Sequence, residues 1–374
     1  MAKYSLPILM YHHINNHTRN LVTISPGDFE KQIAYLAHKG YKTLNMAEAL
    51  AYLRGGRPLH GREVLLTFDD GFLDNWVYAY PILHRYGLKA VLFLVTGFVE
   101  IDGAPRPHLG QVWQRKIEHR QLPIIPQHND FDYKSVRIDR NSGCYVRWSE
   151  LVQMQADGAF DIQAHGHFHG EYFCADKIVG FNTNANNRLA LVTDGDCRPG
   201  IPVYEKKPAL VQTRYFDDLR LRDHLAVYVS EHGGSNFFTR PKKDWEQELY
   251  RQSEEFIRQY GLQGTWEKME DYERRVQEDL AVCRQAIEKN LKKPCLSIAW
   301  PWGGYNNRLI KLARELGYQA AFTTERGANS PGCDLLSLKR CVVKKGNLNW
   351  FTRQLFIYSR PQLSKAYLKV RGKI

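Results

Sequence analysis

The segment VLLTFDDG, residues 64–71, decides the fold of this chain. It is an apolar run that ends in two adjacent carboxylates and a glycine. Such a compact apolar run is typical of a strand buried on both faces of a parallel sheet. The carboxyl ends of parallel strands are where α/β folds place their functional sites. The segment therefore predicts a buried strand with Asp69 and Asp70 at a functional edge, although Asp-Asp-Gly is also an ordinary turn sequence.

Strands and helices alternate around this segment. Residues 7–10 form a predicted strand, and Ser25-Pro26 begins a helix that ends near Gly40. A helix over residues 76–86 and a strand over residues 90–95 follow. Late in the chain the predicted elements are a helix over 272–291, a strand over 296–300, a helix over 307–316 and a strand over 320–324. This alternation predicts an α/β fold with one parallel sheet or barrel.

A histidine cluster follows a further predicted strand, residues 160–164. His165 and His169 are four residues apart and project to the same side if the chain forms a helical turn there. In a chain with 14 histidines such a pair also occurs on surfaces or in hydrogen-bonded cores. Because the pair and Asp70 both follow strands, we predict a cation site made of two histidines and one carboxylate, with positions left open for water and substrate.

These groups predict a hydrolase of amides or esters. A cation held there would polarise an amide carbonyl and lower the pKa of a bound water. Asp69 would act as the general base, and the motif Tyr11-His12-His13 offers a general acid for the leaving amine. The loop WPWGGYN, residues 300–306, has aromatic rings that suit the apolar face of a sugar and N–H groups that can stabilise an oxyanion. The alternative for this loop is a buried aromatic turn.

The order of these motifs resembles the polysaccharide deacetylases with a NodB-homology domain, carbohydrate esterase family 4. TFDDG, HxxxH and WPWGGYN follow one another as in that family. The opening LPILMYHHI is most similar to the branch that de-N-acetylates poly-N-acetylglucosamine. The resemblance implies a distorted (β/α) barrel of about seven parallel strands with large loop insertions. Residues 1–345 would form this domain, with insertions at about 101–147 and 170–270, and residues 346–374 would form a basic aromatic tail.

The resemblance also implies roles for individual residues. Asp69 would be the catalytic base, and a divalent metal, zinc with nickel or cobalt as alternatives, would be bound by Asp70, His165 and His169. His12 would be the general acid, with His13 as the second candidate. The backbone N–H of Trp302 would donate to the oxyanion. The substrate-binding residues would be Trp302, Tyr305, Pro301 and His13.

Two departures from the family pattern concern the site itself. The family usually has Ser or Thr after the first ligand histidine, where this chain has Gly166, so a hydrogen bond within that loop is missing. The arginine common before the proline of the third motif is also absent, because Ala299-Trp300 precede Pro301. The two insertions lack an obvious core pattern, and the second would shape the choice of substrate.

Composition predicts a globular protein of a reducing compartment. The chain is 43% hydrophobic and 25% charged, and it has no run near the roughly 18–20 apolar residues of a membrane span. Residues 6–11 are too short for the ~7–15-residue core of a secretory signal. The seven scattered cysteines contain no CxxC pair and indicate reduced thiols. We therefore expect a cytoplasmic protein.

Most of the net charge of +12 comes from the end of the chain. After residue 334 there is no acidic residue, and the basic residues are Lys339, Arg340, Lys344, Lys345, Arg353, Arg360, Lys365, Lys369, Arg371 and Lys373. Interleaved aromatic residues suggest that this part faces anionic phosphates or an acidic membrane surface. The alternative is a basic helix that packs its apolar side on the body. Nucleic acid is not expected, since no recognised binding motif accompanies the charge.

The predicted function is metal-dependent removal of N-acetyl groups from an N-acetylhexosamine. The substrate would be a cell-envelope polysaccharide or, for a cytoplasmic protein, a lipid-linked or lipopolysaccharide precursor at the inner membrane face. The alternatives are an amidohydrolase that acts on a small non-sugar amide and a catalytically inactive glycan-binding module. The intact buried carboxylates argue against the inactive module, because unused buried charges destabilise a fold.

Overall fold

The computed structural model describes residues 3–17, 22–101, 103–127, 142–183, 189–190, 192–344 and 346–372. Residues 128–141 of the first predicted insertion, 184–188 and 191 of the second, and 345, 373 and 374 of the end of the chain lie outside the described residues. The described part of the chain forms two compact units. The first contains residues up to 127, 142–168 and 279–372, and the second contains residues 169–278.

The elements are numbered here in chain order. The strands are β1 (Ile8–Tyr11), β2 (His13–Ile14), β3 (Thr23–Ile24), β4 (Lys42–Thr43), β5 (Glu63–Asp70), β6 (Ala90–Leu94), β7 (Phe160–Ala164), β8 (Glu171–Phe181), β9 (Pro202–Pro208), β10 (Tyr215–Phe216), β11 (Thr265–Trp266), β12 (Ser297–Ala299), β13 (Ala320–Phe322) and β14 (Cys341–Val342). The α-helices are α1 (Pro26–His38), α2 (Met46–Leu53), α3 (Tyr80–Arg85), α4 (Leu109–Trp113), α5 (Trp148–Ala156), α6 (Leu219–Glu231), α7 (Lys242–Tyr260), α8 (Met269–Leu291), α9 (Asn307–Glu315), α10 (Leu348–Tyr358) and α11 (Pro361–Val370).

A curved parallel sheet organises the first unit. Its order is β13-β12-β7-β6-β5-β1-β14, with β4 beside β5, and each of these pairs is parallel. Residues 338–342 link its two ends, because Leu338 bridges to Phe322 in β13 and Cys341 pairs with Leu9 in β1. The predicted α/β fold with a distorted barrel of parallel strands is confirmed. Its strand C-termini bring the ends of β1, β5, β6, β7 and β12 to one edge.

Local signals explain most boundaries in this unit. The Ser25 side chain accepts a hydrogen bond from the Asp28 N–H and begins α1, which has Pro26 in its first turn. The predicted helix over residues 76–86 is in fact a π-helix, Asn75–Ala79, followed by α3. A buried core cluster contains strand residues such as Leu65, Val91 and Phe93, so the strands are anchored by apolar burial.

The second unit has a hydrophobic core of its own. One buried cluster lies between α6 and α7 and includes Leu225, Val229 and Leu249, and another surrounds Tyr204 and Tyr215. The strands β8 and β9 pair antiparallel, as do β10 and β11. The sequence of this unit shows no obvious core pattern because its apolar residues come from antiparallel strands and two helices that contribute only a few positions each.

The basic end of the chain packs on the body of the first unit. α10 contacts α1 and buries an apolar stripe that includes Phe351 and Leu355. Ser5 anchors the end of α10, since its N–H donates to the Ser359 carbonyl and its hydroxyl to the Tyr358 carbonyl. Of the two alternatives for this basic segment, the structure thus shows packing of its apolar side on the body. None of the described helices combines the length and the apolar character that a membrane crossing requires.

Candidate metal centre

Two carboxylates end β5 in different environments. Asp69 is 2% exposed and lies inside the barrel, whereas Asp70 is partly accessible and has a φ of 75°. A left-handed backbone conformation is uncommon for residues other than glycine. Here it interrupts the alternation of side chains between the two faces of the strand, so that the adjacent Asp69 and Asp70 can serve one site. Gly71 continues the turn with a φ of 84°, and a Cβ there would come within 2.6 Å of the Leu94 side chain. Close packing therefore requires the glycine of the TFDDG motif.

A buried arginine holds Asp69. The guanidinium of Arg340, which is fully buried, donates to Asp69 Oδ1 at 2.7 Å and to Oδ2 at 2.8 Å. Its Nε donates to the Thr323 carbonyl at 2.9 Å. Burial alone would raise the pKa of Asp69, but Arg340, followed by His165 and His12, outweighs it and holds the pKa below its usual range. Asp69 is thus kept as an ionised base.

Sequence reasoning missed the role of Arg340. The sequence groups Arg340 with basic residues expected to face phosphates or solvent. This expectation is wrong for Arg340, because residues 338–342 pair with β13 and β1 and its side chain is fully buried beside Asp69. The only signal in the sequence was indirect: the arginine expected before Pro301 is missing, so a buried Asp69 needed a cation from elsewhere.

His165 presents one nitrogen to the carboxylates. Its Nδ1 lies 2.8 Å from the Ala299 carbonyl oxygen, which can only accept, so Nδ1 carries the proton and Nε2 has the lone pair. Nε2 lies 3.4 Å from Asp70 Oδ1 and 4.0 Å from Asp69 Oδ2. Burial lowers the pKa of His165, but Asp69 and Asp70 outweigh this effect and raise it. The carboxylates around Nε2 thus favour a positive charge at this nitrogen, either a bound proton or a metal ion.

The three predicted ligands come together. Asp70, His165 and His169 each offer one ligand atom, and these atoms all lie within 4.8 Å of one another. Two imidazoles and a carboxylate are the donor set of catalytic zinc sites that keep positions open. One carboxylate oxygen and two imidazole nitrogens within this distance can bind one ion, so the residues present fit a divalent metal.

The histidine motif is a loop rather than a helical turn. Residues 165–170 follow β7 without helical structure, and Gly166 has a φ of 82°. The prediction of a helical turn is wrong because the left-handed glycine redirects the chain immediately after the strand. Both histidines still lie close to Asp70.

The two N-terminal histidines lie in different surroundings. His12 follows β1, and the charges of Asp69 and Asp70 act on its ring, although burial dominates and lowers its pKa. Its Nδ1 is buried and makes no hydrogen bond within the described part of the chain. His13 is 2% exposed, has Nδ1 2.8 Å from the Asp74 carboxylate and stacks on Phe72. Of the two candidates, His12 is the one whose pKa is affected by the charges of both Asp69 and Asp70.

The aromatic loop contributes two accessible side chains. Trp302 is 47% exposed with a φ of 58°, and the Tyr305 hydroxyl donates to Glu325 Oε1 at 2.9 Å. Pro301, however, is buried. Substrate contact by the Pro301 ring or by His13 is therefore not supported, because neither side chain has the accessible surface that such a contact needs. Trp302 and Tyr305 keep that surface.

Comparisons with known proteins identify the family of this chain. A family model described as polysaccharide deacetylase matches residues 56–187 and 258–321, more than half of the chain. The chain is 41% identical over 90 residues to YxkH of Bacillus subtilis (strain 168), whose name describes it as a polysaccharide deacetylase. This match covers 24% of this chain and 32% of that protein. It is 19% identical over 351 residues to the poly-β-1,6-N-acetyl-D-glucosamine N-deacetylase of Escherichia coli (strain K12), covering 93% of this chain. The chain spans only 38% of that relative's length.

A solved structure shares the fold over almost the whole chain. The de-N-acetylase of Aggregatibacter actinomycetemcomitans superposes with a TM-score of 0.57 at 17% identity, covering 93% of this chain and 99% of the other. At this identity the likeness concerns the fold alone.

Proposed function

The chain belongs to the polysaccharide deacetylase family, and from this premise we propose that it removes N-acetyl groups from an amino-sugar glycan by metal-dependent hydrolysis. The observation that carries the proposal is the meeting of Asp70, His165 and His169 beside a buried, ionised Asp69. The names of the relatives point to poly-N-acetylglucosamine or a similar N-acetylhexosamine glycan as the substrate class. Zinc is the proposed metal, since two histidines and a carboxylate suit it, with nickel or cobalt as substitutes.

Each residue of the site has one proposed task. Asp70, His165 and His169 would hold the metal, which supplies Lewis-acid polarisation of the acetyl carbonyl and lowers the pKa of water. Asp69, kept ionised by Arg340, takes the proton from the attacking water. His12 gives a proton to the departing amine nitrogen. The Trp302 N–H donates to the oxygen that gains charge in the transition state.

The accessible aromatic side chains support a sugar as substrate. Trp302 and Tyr305 lie on the loop after β12, at the same edge as the carboxylates. Their exposed surface can pack on the apolar face of a pyranose ring. A small linear amide would leave this surface uncovered, which is why the glycan is the preferred substrate class.

The test is acetate release from β-1,6-linked N-acetylglucosamine oligosaccharides. We expect release to stop with a chelator and to return with Zn²⁺, Ni²⁺ or Co²⁺. Asp70→Asn should lose both metal binding and activity, whereas Asp69→Asn should keep the metal and lose on the order of 10²–10⁴ in kcat. Asp244→Asn, an exposed carboxylate in α7, is the matched control.

Two results would contradict the proposal. Release that is insensitive to chelator and to Asp70→Asn would exclude the metal mechanism. Metal-dependent cleavage of small acylamides without any release from glycans would exclude the sugar substrate and favour the small-amide hydrolase.

A further inference from the structure

The loop that carries both ligand histidines is held from outside. Because residues 165–170 form no helix, no helical hydrogen bonds fix the loop, and its shape depends on contacts with the surrounding segments. On one side the end of β6 holds it: the Thr96 N–H donates to the Gly166 carbonyl at 3.2 Å and the Gly97 N–H to the His167 carbonyl at 3.1 Å. A Cβ at Gly97 would lie 2.2 Å from the His167 carbonyl oxygen. The backbone at residue 97 therefore packs directly against the histidine loop, with no room for a side chain.

A single carboxylate holds the other side. Asp279 in α8 accepts the His167 N–H at Oδ1, 2.9 Å away, and the Phe168 N–H at Oδ2, 2.7 Å away. Both oxygens of one ionised group therefore bind two consecutive peptides. Hydrogen bonds to a charged acceptor are roughly twice as strong as neutral ones, and the paired arrangement fixes orientation as well as distance.

The helix that carries Asp279 is itself firmly anchored. Val276, Leu280 and Cys283 on the same stripe of α8 are completely buried, and the Leu280 carbonyl accepts the Tyr318 hydroxyl at 2.9 Å. A side chain on such an element holds its partner more precisely than one on a loop. Asp279 thus ties the histidine loop to the core of the first unit.

We propose that Asp279 is a positioning residue of the metal centre, which fixes the two peptides between His165 and His169 so that both imidazoles reach Asp70. This inference rests on the proposed metal site. It also accounts for Gly166: glycine has no side chain that could bond within the loop, and Asp279 supplies the restraint from a distant part of the chain. A metal site needs ligand positions accurate to about 0.2 Å, so loss of this restraint should weaken metal binding.

The experiment measures Co²⁺ affinity and the visible spectrum of the Co²⁺ protein in Asp279→Asn and Asp279→Ala. In the nearly isosteric Asn variant, one amide oxygen accepts one N–H while the NH₂ group faces the other donor. The control is Glu278→Gln, which changes the neighbouring exposed carboxylate of the same helix. We expect Co²⁺ dissociation constants about 10- to 100-fold higher in the Asp279 variants, an altered spectrum, and faster hydrogen exchange of the peptide that contains residues 165–169.

The outcomes separate this inference from the proposed function. A wild-type protein that binds no Co²⁺ overturns both. A wild-type protein that binds Co²⁺ while Asp279→Asn and Glu278→Gln bind it equally well overturns only the positioning role. Weaker binding confined to the Asp279 variants, with far-ultraviolet circular dichroism of the metal-free proteins unchanged, supports it.

Discussion

At the scale of single residues, the site depends on a buried ion pair. Asp69 and Arg340 are both removed from water, and each is stabilised mainly by the other. Such a pair adds little to stability compared with a well-packed apolar pair, but removing one partner leaves a charge buried alone. The pair therefore serves the chemistry: it keeps a carboxylate ionised in a place where burial would otherwise protonate it.

We predict that Arg340→Met impairs both folding and catalysis. The free energy of unfolding in urea should fall by about 3–5 kcal/mol, because Asp69 loses its partner. Acetate release should fall at least tenfold, since burial then raises the pKa of Asp69 and the base is protonated. The control is Arg353→Met in α10, an exposed residue of the same basic segment. Equal behaviour of the two variants would contradict the assigned role of Arg340.

At the scale of elements, the side chain of Asp218 at the N-terminus of α6 links this helix to the segment that contains Gln263. Asp218 accepts the Arg220 N–H at 3.0 Å as the N-cap and the Gln263 N–H at 2.9 Å. It also pairs with the Arg220 guanidinium at 2.7 Å. The hydrogen bond from Arg220 lowers the pKa of Asp218 despite burial, which acts in the opposite direction.

This arrangement predicts a pH-dependent contribution to stability. Because the pKa of Asp218 is lower in the folded than in the unfolded protein, its contribution is complete above the unfolded value of about 3.9 and is lost as the pH falls through the folded value. Asp218→Ala should reduce the free energy of unfolding by about 0.5–2 kcal/mol at pH 7. The difference from wild type should shrink below about pH 3.9.

Urea denaturation between pH 2 and pH 7 measures this effect. Asp223→Asn, an exposed carboxylate in the same helix, should stay within about 0.5 kcal/mol of wild type throughout. A difference between Asp218→Ala and wild type that does not change with pH would show that the charge of Asp218 has no part in the cap.

At the scale of the whole molecule, the chain contains two compact units with separate hydrophobic clusters. The barrel unit carries Asp69, Asp70, His165 and Arg340. The second unit is built on α6 and α7, and its cluster has fully buried residues such as Leu225 and Leu249. Each unit therefore has a buried apolar cluster of its own.

We predict that Leu249→Ala loosens the second unit selectively. A cavity at a fully buried leucine costs about 2–5 kcal/mol, so hydrogen exchange should accelerate across residues 169–268 while the strands of the barrel keep their protection. Val227→Ala in α6 is the control, because Val227 is exposed. Uniform acceleration over the entire chain would mean that the two units unfold together.

The sequence by itself determined several elements of the barrel. The strand predicted at residues 160–164 is β7, and the N-cap predicted at Ser25 begins α1. The segment 64–71 is the central strand β5 with its two carboxylates at the functional edge. These features were accessible because strand burial, capping and left-handed glycines depend on residues near one another in the chain.

Only the tertiary structure decided which distant residues complete the site. Arg340 reaches Asp69 across a separation of 271 residues, and Asp279 reaches the histidine loop across 112. Neither residue has a local pattern that distinguishes it from an ordinary surface charge. The closure of the barrel by residues 338–342 places Arg340 where the buried Asp69 needs a charged partner. The packing of α8 places Asp279 beside two backbone N–H groups of the histidine loop.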